Sequence, residues 1–254
     1  MMTFAIINCK GGVGKTTTAK NLAYILATKY SKAVLLVDAD PQGDASTIGI
    51  DTNRDGLASV LQGSEYRGVI HRTTVRGLDL LPGTRELRDI DLDCMTWQRK
   101  PDFNALDRFL RVVADDYDVC IIDCPPSYAS VSCINAIVSA DRIIIPADTS
   151  AYSAEGMDDL VTQIDSIRRV GMGIGVSGIL MTKVNKDEMD SKAVAMMREN
   201  APVPVFETVI RASDKPVTKS SWECQSSCEL SPGCNTSRDY RAWVKELCEK
   251  EGLA

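Results

Sequence analysis

Residues 9–18 read Cys-Lys-Gly-Gly-Val-Gly-Lys-Thr-Thr-Thr, and how that stretch is read decides the fold. Upstream, Thr3 to Asn8 (TFAIIN) is a short apolar run of β formers. Downstream, Thr16 to Thr28 sets Leu22, Ile25 and Leu26 at helical spacing. Strand, glycine-rich loop and helix in that order are the context a phosphate-binding loop requires. Backbone N–H groups of Gly11, Gly12, Val13, Gly14 and Lys15 would converge on phosphate oxygens, helped by the positive end of the following helix. Glycine lets that backbone approach closely. Lys15 would reach the β- and γ-phosphates, and the Thr16 hydroxyl would ligate Mg2+, with Thr17 beside it in the ATP-binding set. A second lysine, Lys10, precedes Lys15 by five positions, and Cys9 stands where the general pattern has glycine.

Two more apolar runs end in carboxylates. Residues 34–46 (VLLVDADPQGDAS) carry Asp38 and Asp40 two positions apart, which on a strand end would point them the same way. The plain structural alternative for Asp40 is a turn-forming residue ahead of Pro41. Residues 118–127 (DVCIIDCPPS) bring Asp123 to the end of a buried-type strand, which Pro125 and Pro126 stop.

KGGVGKT, VDADPQGDAS and IIDCPPS together resemble the ParA/MinD-type ATPases with a deviant Walker A loop, in the small ParA/Soj-type partition form that lacks an N-terminal DNA-binding domain. The resemblance runs from Phe4 to about Leu247 and is specific in these three motifs, but weak between 49 and 100 and between 211 and 236. INAIVSADRIIIPAD (134–148) continues it, as do Tyr152, Glu155 and Gly156, while Ser150 stands where the family often has Glu. The resemblance implies a homodimer that sandwiches two ATP molecules, with Lys10 crossing to the partner's phosphates. It implies catalysis by Lys10, Lys15 and Asp40, the last orienting or deprotonating the attacking water, and a metal site of Thr16, Asp38 and Asp123. It further implies that the ATP dimer binds nonspecific DNA, and that a ParB-like centromere-binding protein stimulates a slow hydrolysis that releases it.

Residues 178–185 (GILMTKVN) end in Asn185, where a guanine-reading motif would have Asp. An amide offers both donor and acceptor and suits adenine, so ATP is expected over GTP; local turn bonding is the other reading of Asn185. For DNA, the resemblance points to Arg211 and Lys215 in IRASDKP, although the proline common in this family segment is missing and a solvated face is the alternative.

The chain has 254 residues, 44% hydrophobic and 25% charged. This suits one α/β domain over 1–254, a mostly parallel sheet flanked by helices on both faces. Strands are expected near 4–8, 33–37, 78–81, 118–123, 142–146, 174–181 and 203–206. No apolar run approaches the roughly 18 residues that span a bilayer, so a cytoplasmic protein without a membrane partner is expected, and the resemblance implies that it is nucleoid-associated. The terminal segment SRDYRAWVKELCEKEGLA has an apolar stripe of Tyr240, Trp243, Val244 and Leu247. Its other face carries Glu246, Glu249 and Glu251 rather than a basic surface, so it reads as a docked helix. A net charge of −6 excludes a protein basic over its whole surface. The chain has one histidine, His71, which rules out a His-rich metal site. Of nine cysteines, Cys9, Cys120, Cys124 and Cys133 lie in or beside apolar strands. Cys224, Cys228 and Cys234 have irregular spacing for a metal site; they keep open a different class, an iron–sulfur cluster carrier ATPase. An ATPase that positions some other cargo on DNA is a third possibility.

Overall fold

Short strands buried on both faces can only be covered by helices on both faces. In a computed structural model, which describes residues 1–48, 55–63, 68–152, 154–170, 173–212 and 225–253, this is what forms. The strands are β1 (Met2–Ile6), β2 (Val34–Asp38), β3 (His71–Arg72), β4 (Leu78–Leu81), β5 (Val119–Asp123), β6 (Arg142–Ala147) and β7 (Gly175–Met181). They make one sheet in the order β3-β4-β2-β5-β1-β6-β7, parallel except for the β3–β4 pair. The described helices are α1 (Lys15–Lys29), α2 (Leu57–Leu61), α3 (Glu86–Met95), α4 (Ala105–Val112), α5 (Val131–Ser139), α6 (Ala154–Val170), α7 (Glu188–Asn200), α8 (Ser227–Leu230) and α9 (Asn235–Glu251). Along β2 the side chains alternate between two apolar layers. Leu35 and Val37 pack with Leu106, Phe109 and Ile137, and Val34 and Leu36 pack with Leu22, Leu26 and Trp243.

The expected strand at 203–206 does not form. Pro202 and Pro204 lack the N–H groups a ladder needs, and only an isolated parallel bridge, Ile179 to Val205, remains, with Phe206 N donating to Ile179 O at 2.9 Å. The seventh strand is instead the two-residue edge β3, too short to carry a periodic signal.

The terminal helix docks as expected. Tyr240, Trp243, Val244 and Leu247 of α9 are all buried, with Phe206 and Trp243 edge to face at 5.8 Å. The apolar stripe is therefore spent on α1 and the sheet. No helix among the described residues is long and apolar enough to cross a membrane. The Tyr240 hydroxyl lies 3.1 Å from the Thr18 hydroxyl of α1, both fully enclosed. Tyr240→Phe is expected to cost about 1 kcal/mol, because Thr18 can turn back to a helix carbonyl. A lower urea midpoint at unchanged slope would show it; no change would mean the pair is not formed in solution.

Candidate functional site

Past β1 the chain reverses into α1 through left-handed backbone at Gly12 (φ 78°) and Gly14 (φ 91°), a conformation that favours glycine. Gly14 caps α1 without a side-chain hydrogen bond, so the first-turn N–H groups face a cavity of about 370 Å3. A Cβ at Gly11, Gly12 or Gly14 would meet nothing within 4 Å, so the space over the loop is open for phosphate. Two bonds fix the loop to the ends of β6 and β7, and a third braces it internally. Asn8 Nδ2 donates to Pro146 O (2.7 Å), Asn8 Oδ1 accepts from Lys10 N (2.8 Å), and the Thr182 hydroxyl donates to Val13 O (2.8 Å). Lys15 is buried, and its ammonium donates to Lys10 O at 3.2 Å.

Asp38 and Asp123 are register partners at the adjacent ends of β2 and β5. Asp38 is fully buried and well served: Oδ2 accepts from Ser46 N (2.7 Å) and the Ser46 hydroxyl (2.6 Å), and Oδ1 accepts from Asp40 N (3.1 Å). Burial nevertheless pushes its carboxyl up to about 6, with these hydrogen bonds opposing. Both oxygens of Asp123 are buried without a hydrogen-bond partner among the described residues. Burial, then the charge of Asp38, drives its carboxyl far up; the Thr16 hydroxyl and, more weakly, Lys15 pull the other way. An orphaned buried carboxylate beside another is costly. A hydrated divalent cation held by Asp123 and the Thr16 hydroxyl, with Asp38 behind, would remove that cost, and an all-oxygen donor set fits Mg2+.

Asp40 lies beyond the strand end, close enough to Asp38 and Asp123 for its charge to raise both carboxyls. The strand ends at Asp38, so the two-residue period no longer applies, and Asp40 is partly exposed in the next turn, where Oδ1 accepts from Gln42 N at 2.9 Å. The turn-forming reading is thus met, yet Asp40 also lines the phosphate cavity.

Lys10 turns away from the loop. Its ammonium lies 3.0 Å from Asp148 Oδ1 and also donates to the Ser150 hydroxyl. Partial burial would raise the Asp148 carboxyl, but hydrogen bonds from Ser150 and Lys10 hold it below the usual carboxylate range. The Lys10 side chain is 48% exposed, so this pair is worth about 1 kcal/mol or less.

Asn185 is not among the residues lining the phosphate cavity. Its N–H and Nδ2 both donate to Asp190 Oδ2, at 2.6 and 3.0 Å, which is the local-turn reading. Arg211 is clamped to Asp239 of α9 through Nε (2.8 Å) and Nη2 (2.6 Å), so a phosphate contact would first have to break that pair. Lys215 and Cys224 lie outside the described residues, as does the side chain of Glu155. Cys228 is buried with its thiol donating to Ser237 O, burial pushing it up to about 11, and Cys234 caps α9 by accepting from Ser237 N. The cavity wall also contains Lys183, Lys20 and the segment from Gln225 to Ser227, which sequence reasoning missed. Asn21 Oδ1 ties that segment to α1, accepting from Cys228 N at 2.9 Å and the Ser227 hydroxyl at 3.0 Å. The one available signal was Lys183 itself, inside TKVN; its left-handed backbone (φ 56°) is visible only in the structure.

A family described as an AAA domain (AAA_31) matches residues 1–172. The chromosome-partitioning ATPase Soj of Thermus thermophilus is 36% identical over 209 residues, 81% of this chain and 79% of that protein. The sporulation initiation inhibitor protein Soj of Bacillus subtilis is 33% identical over 213 residues, covering 81% and 82%. A Mycobacterium smegmatis structure described as cobyrinic acid a,c-diamide synthase with bound ATP analogue and magnesium superposes with a TM-score of 0.81 at 26% identity, covering 99% of this chain and 97% of that one. The lysine-led loop, the paired strand-end carboxylates and the mostly parallel sheet thus occur together with this likeness over most of the sequence, and the chain belongs to the ParA/MinD-type P-loop ATPases.

Proposed function

We propose that this ATPase drives DNA partition, cycling between an ATP-loaded homodimer that holds nonspecific DNA and a released form. The observation that carries the reading is Lys10: a lysine of the phosphate loop, additional to Lys15 and held by a half-exposed pair with Asp148 and by the Ser150 hydroxyl, is available to serve a second nucleotide. In the cycle, the loop N–H groups and Lys15 bind and orient the triphosphate. Thr16, Asp38 and Asp123 hold Mg2+, which when bound would neutralise charge on the β- and γ-phosphates. Asp40 takes the proton of, or orients, the attacking water. With Asn185 engaged by Asp190, base recognition falls to other residues of the cavity wall or to a rearranged Asn185. The Soj relatives support a partition role. We assign stimulation of hydrolysis to a centromere-binding partner of the ParB kind.

Asp40→Ala is expected to keep ATP affinity within about twofold while slowing phosphate release about a hundredfold, the usual contribution of a positioned base. Normal turnover in that variant would remove the role. DNA binding is tested with a nonspecific duplex and ATP, ADP or no nucleotide at two salt concentrations. Retention only with ATP, weakening with salt, is the expected result; equal binding in every state would sink the switch.

A further inference from the structure

Among the described residues, a group of exposed apolar side chains lies at and beyond the end of α3. Leu92 is 58% exposed, Met95 79%, Trp97 94% and Phe103 36%. Trp97 sits just past the helix with φ 58°, the left-handed position that helix ends normally give to glycine. Thr96 N still donates to Leu92 O and Gln98 N to Asp93 O, so the helix end is well formed and holds the indole out into water. Beside it opens a groove of about 640 Å3 with Cys94, Phe103, Pro101 and Val131 in its wall. The groove and the phosphate cavity share Asp40 and Pro126 in their walls, so the two adjoin.

We infer that this face is the apolar part of the ATP-dependent homodimer interface, occupied by the same face of a second copy. The inference rests on the nucleotide-sandwich reading above and names where its nonpolar contact area lies. Three observations select a second copy over other occupants. A two-fold interface must be self-complementary, and here a projecting indole and a receiving groove lie side by side on one protomer. The flanking charges are of both signs, with Arg88, Arg99 and Lys100 interleaved with Asp89, Asp91 and Asp93. Nucleic acid or an anionic membrane would call for one sign, whereas mixed charge can pair with its own rotated copy. Finally, the surface around the loop offers glycine and lysine, and a lasting dimer needs an apolar centre that excludes water. The adjoining groove supplies it.

The test is sedimentation velocity with Mg2+ and a non-hydrolysable ATP analogue, on wild type, Trp97→Ala, Trp97→Phe and Met95→Ser. Trp97→Ala is expected to weaken the dimer about tenfold or more and Met95→Ser several-fold, while Trp97→Phe stays within about threefold. Fluorescent ATP-analogue binding by the diluted monomer and the unfolding midpoint should not change, since the indole touches neither cavity nor core. A dimer of wild-type strength in Trp97→Ala overturns the inference and leaves the sandwich intact. A wild type that stays monomeric at saturating nucleotide overturns the sandwich reading and this inference with it.

Discussion

Asp123→Asn is expected to make the metal-free protein more stable while reducing ATP hydrolysis about a thousandfold. Both effects have one source. Among the described residues Asp123 presents two buried oxygens with no hydrogen-bond partner, facing the buried carboxyl of Asp38. An amide there removes the charge repulsion and can donate to Asp38, a gain on the order of 1–3 kcal/mol. Hydrolysis suffers because a neutral amide is a poor ligand for Mg2+, and metal stabilisation of transferring phosphate is worth several kcal/mol. The pH dependence follows from the direction of the shifts. Burial raises Asp38 from 3.8 to about 6 and moves Asp123 the same way. A group raised on folding contributes stability that is fully present below its unfolded pKa and is lost as pH rises through the folded value. Wild type in EDTA should therefore weaken between about pH 4 and 6, by roughly 2–3 kcal/mol for Asp38 alone. Asp123→Asn should flatten that slope, so its advantage is larger at pH 8 than at pH 5. Millimolar Mg2+ should restore wild type at pH 8 and leave the variant unmoved. Urea melts at the two pH values decide the matter: a variant less stable than wild type at pH 8 in EDTA would mean that the carboxylate is satisfied in solution.

The phosphate loop and the two strand-end carboxylates were legible in the sequence because each is local. KGGVGKT specifies its own backbone, and an apolar run ending in Asp carries the residue to the sheet edge without help from distant contacts. Register was not legible. That Asp38 faces Asp123 follows from β2 pairing with β5, some 80 positions away, and only the structure shows that Ser46 serves Asp38 while the oxygens of Asp123 have no hydrogen-bond partner among the described residues. Asn185 shows the same limit. Its type suited a base, but Asp190, five residues on, accepts from its backbone N–H and from Nδ2, a local pairing that the sequence did not show. The apolar pattern at 203–206 suggested a strand, but Pro202 and Pro204 lack the donors a ladder needs, and that outweighs hydrophobicity. Lys183 reaches the cavity from just past β7, and the Gln225–Ser227 wall through the bond of Ser227 to Asn21 of α1, placements that no spacing encodes.

Lys10→Ala is expected to leave nucleotide binding by the monomer within about threefold of wild type and to abolish nucleotide-dependent dimerisation at micromolar concentrations. In the monomer the Lys10 ammonium bonds Asp148 and Ser150, not the open space over the loop, and Lys15 remains for the phosphates. In the proposed dimer each subunit contributes one Lys10, so the substitution acts twice. Losing one partner of a buried, hydrogen-bonded charge pair costs roughly 2–5 kcal/mol. Two such losses exceed about 4 kcal/mol, a thousandfold in Kd. DNA retention, if it needs the dimer, should vanish in parallel. Asp148→Asn separates this from a general defect of the loop. It releases Lys10 from a contact worth about 1 kcal/mol or less, so the nucleotide concentration needed for dimerisation should fall by a few-fold. Opposite movements of Lys10→Ala and Asp148→Asn are what a lysine parked in one subunit and used by the other requires. If both variants weaken the dimer equally, the Lys10–Asp148 pair belongs to the assembled interface, and the lysine never leaves its own subunit.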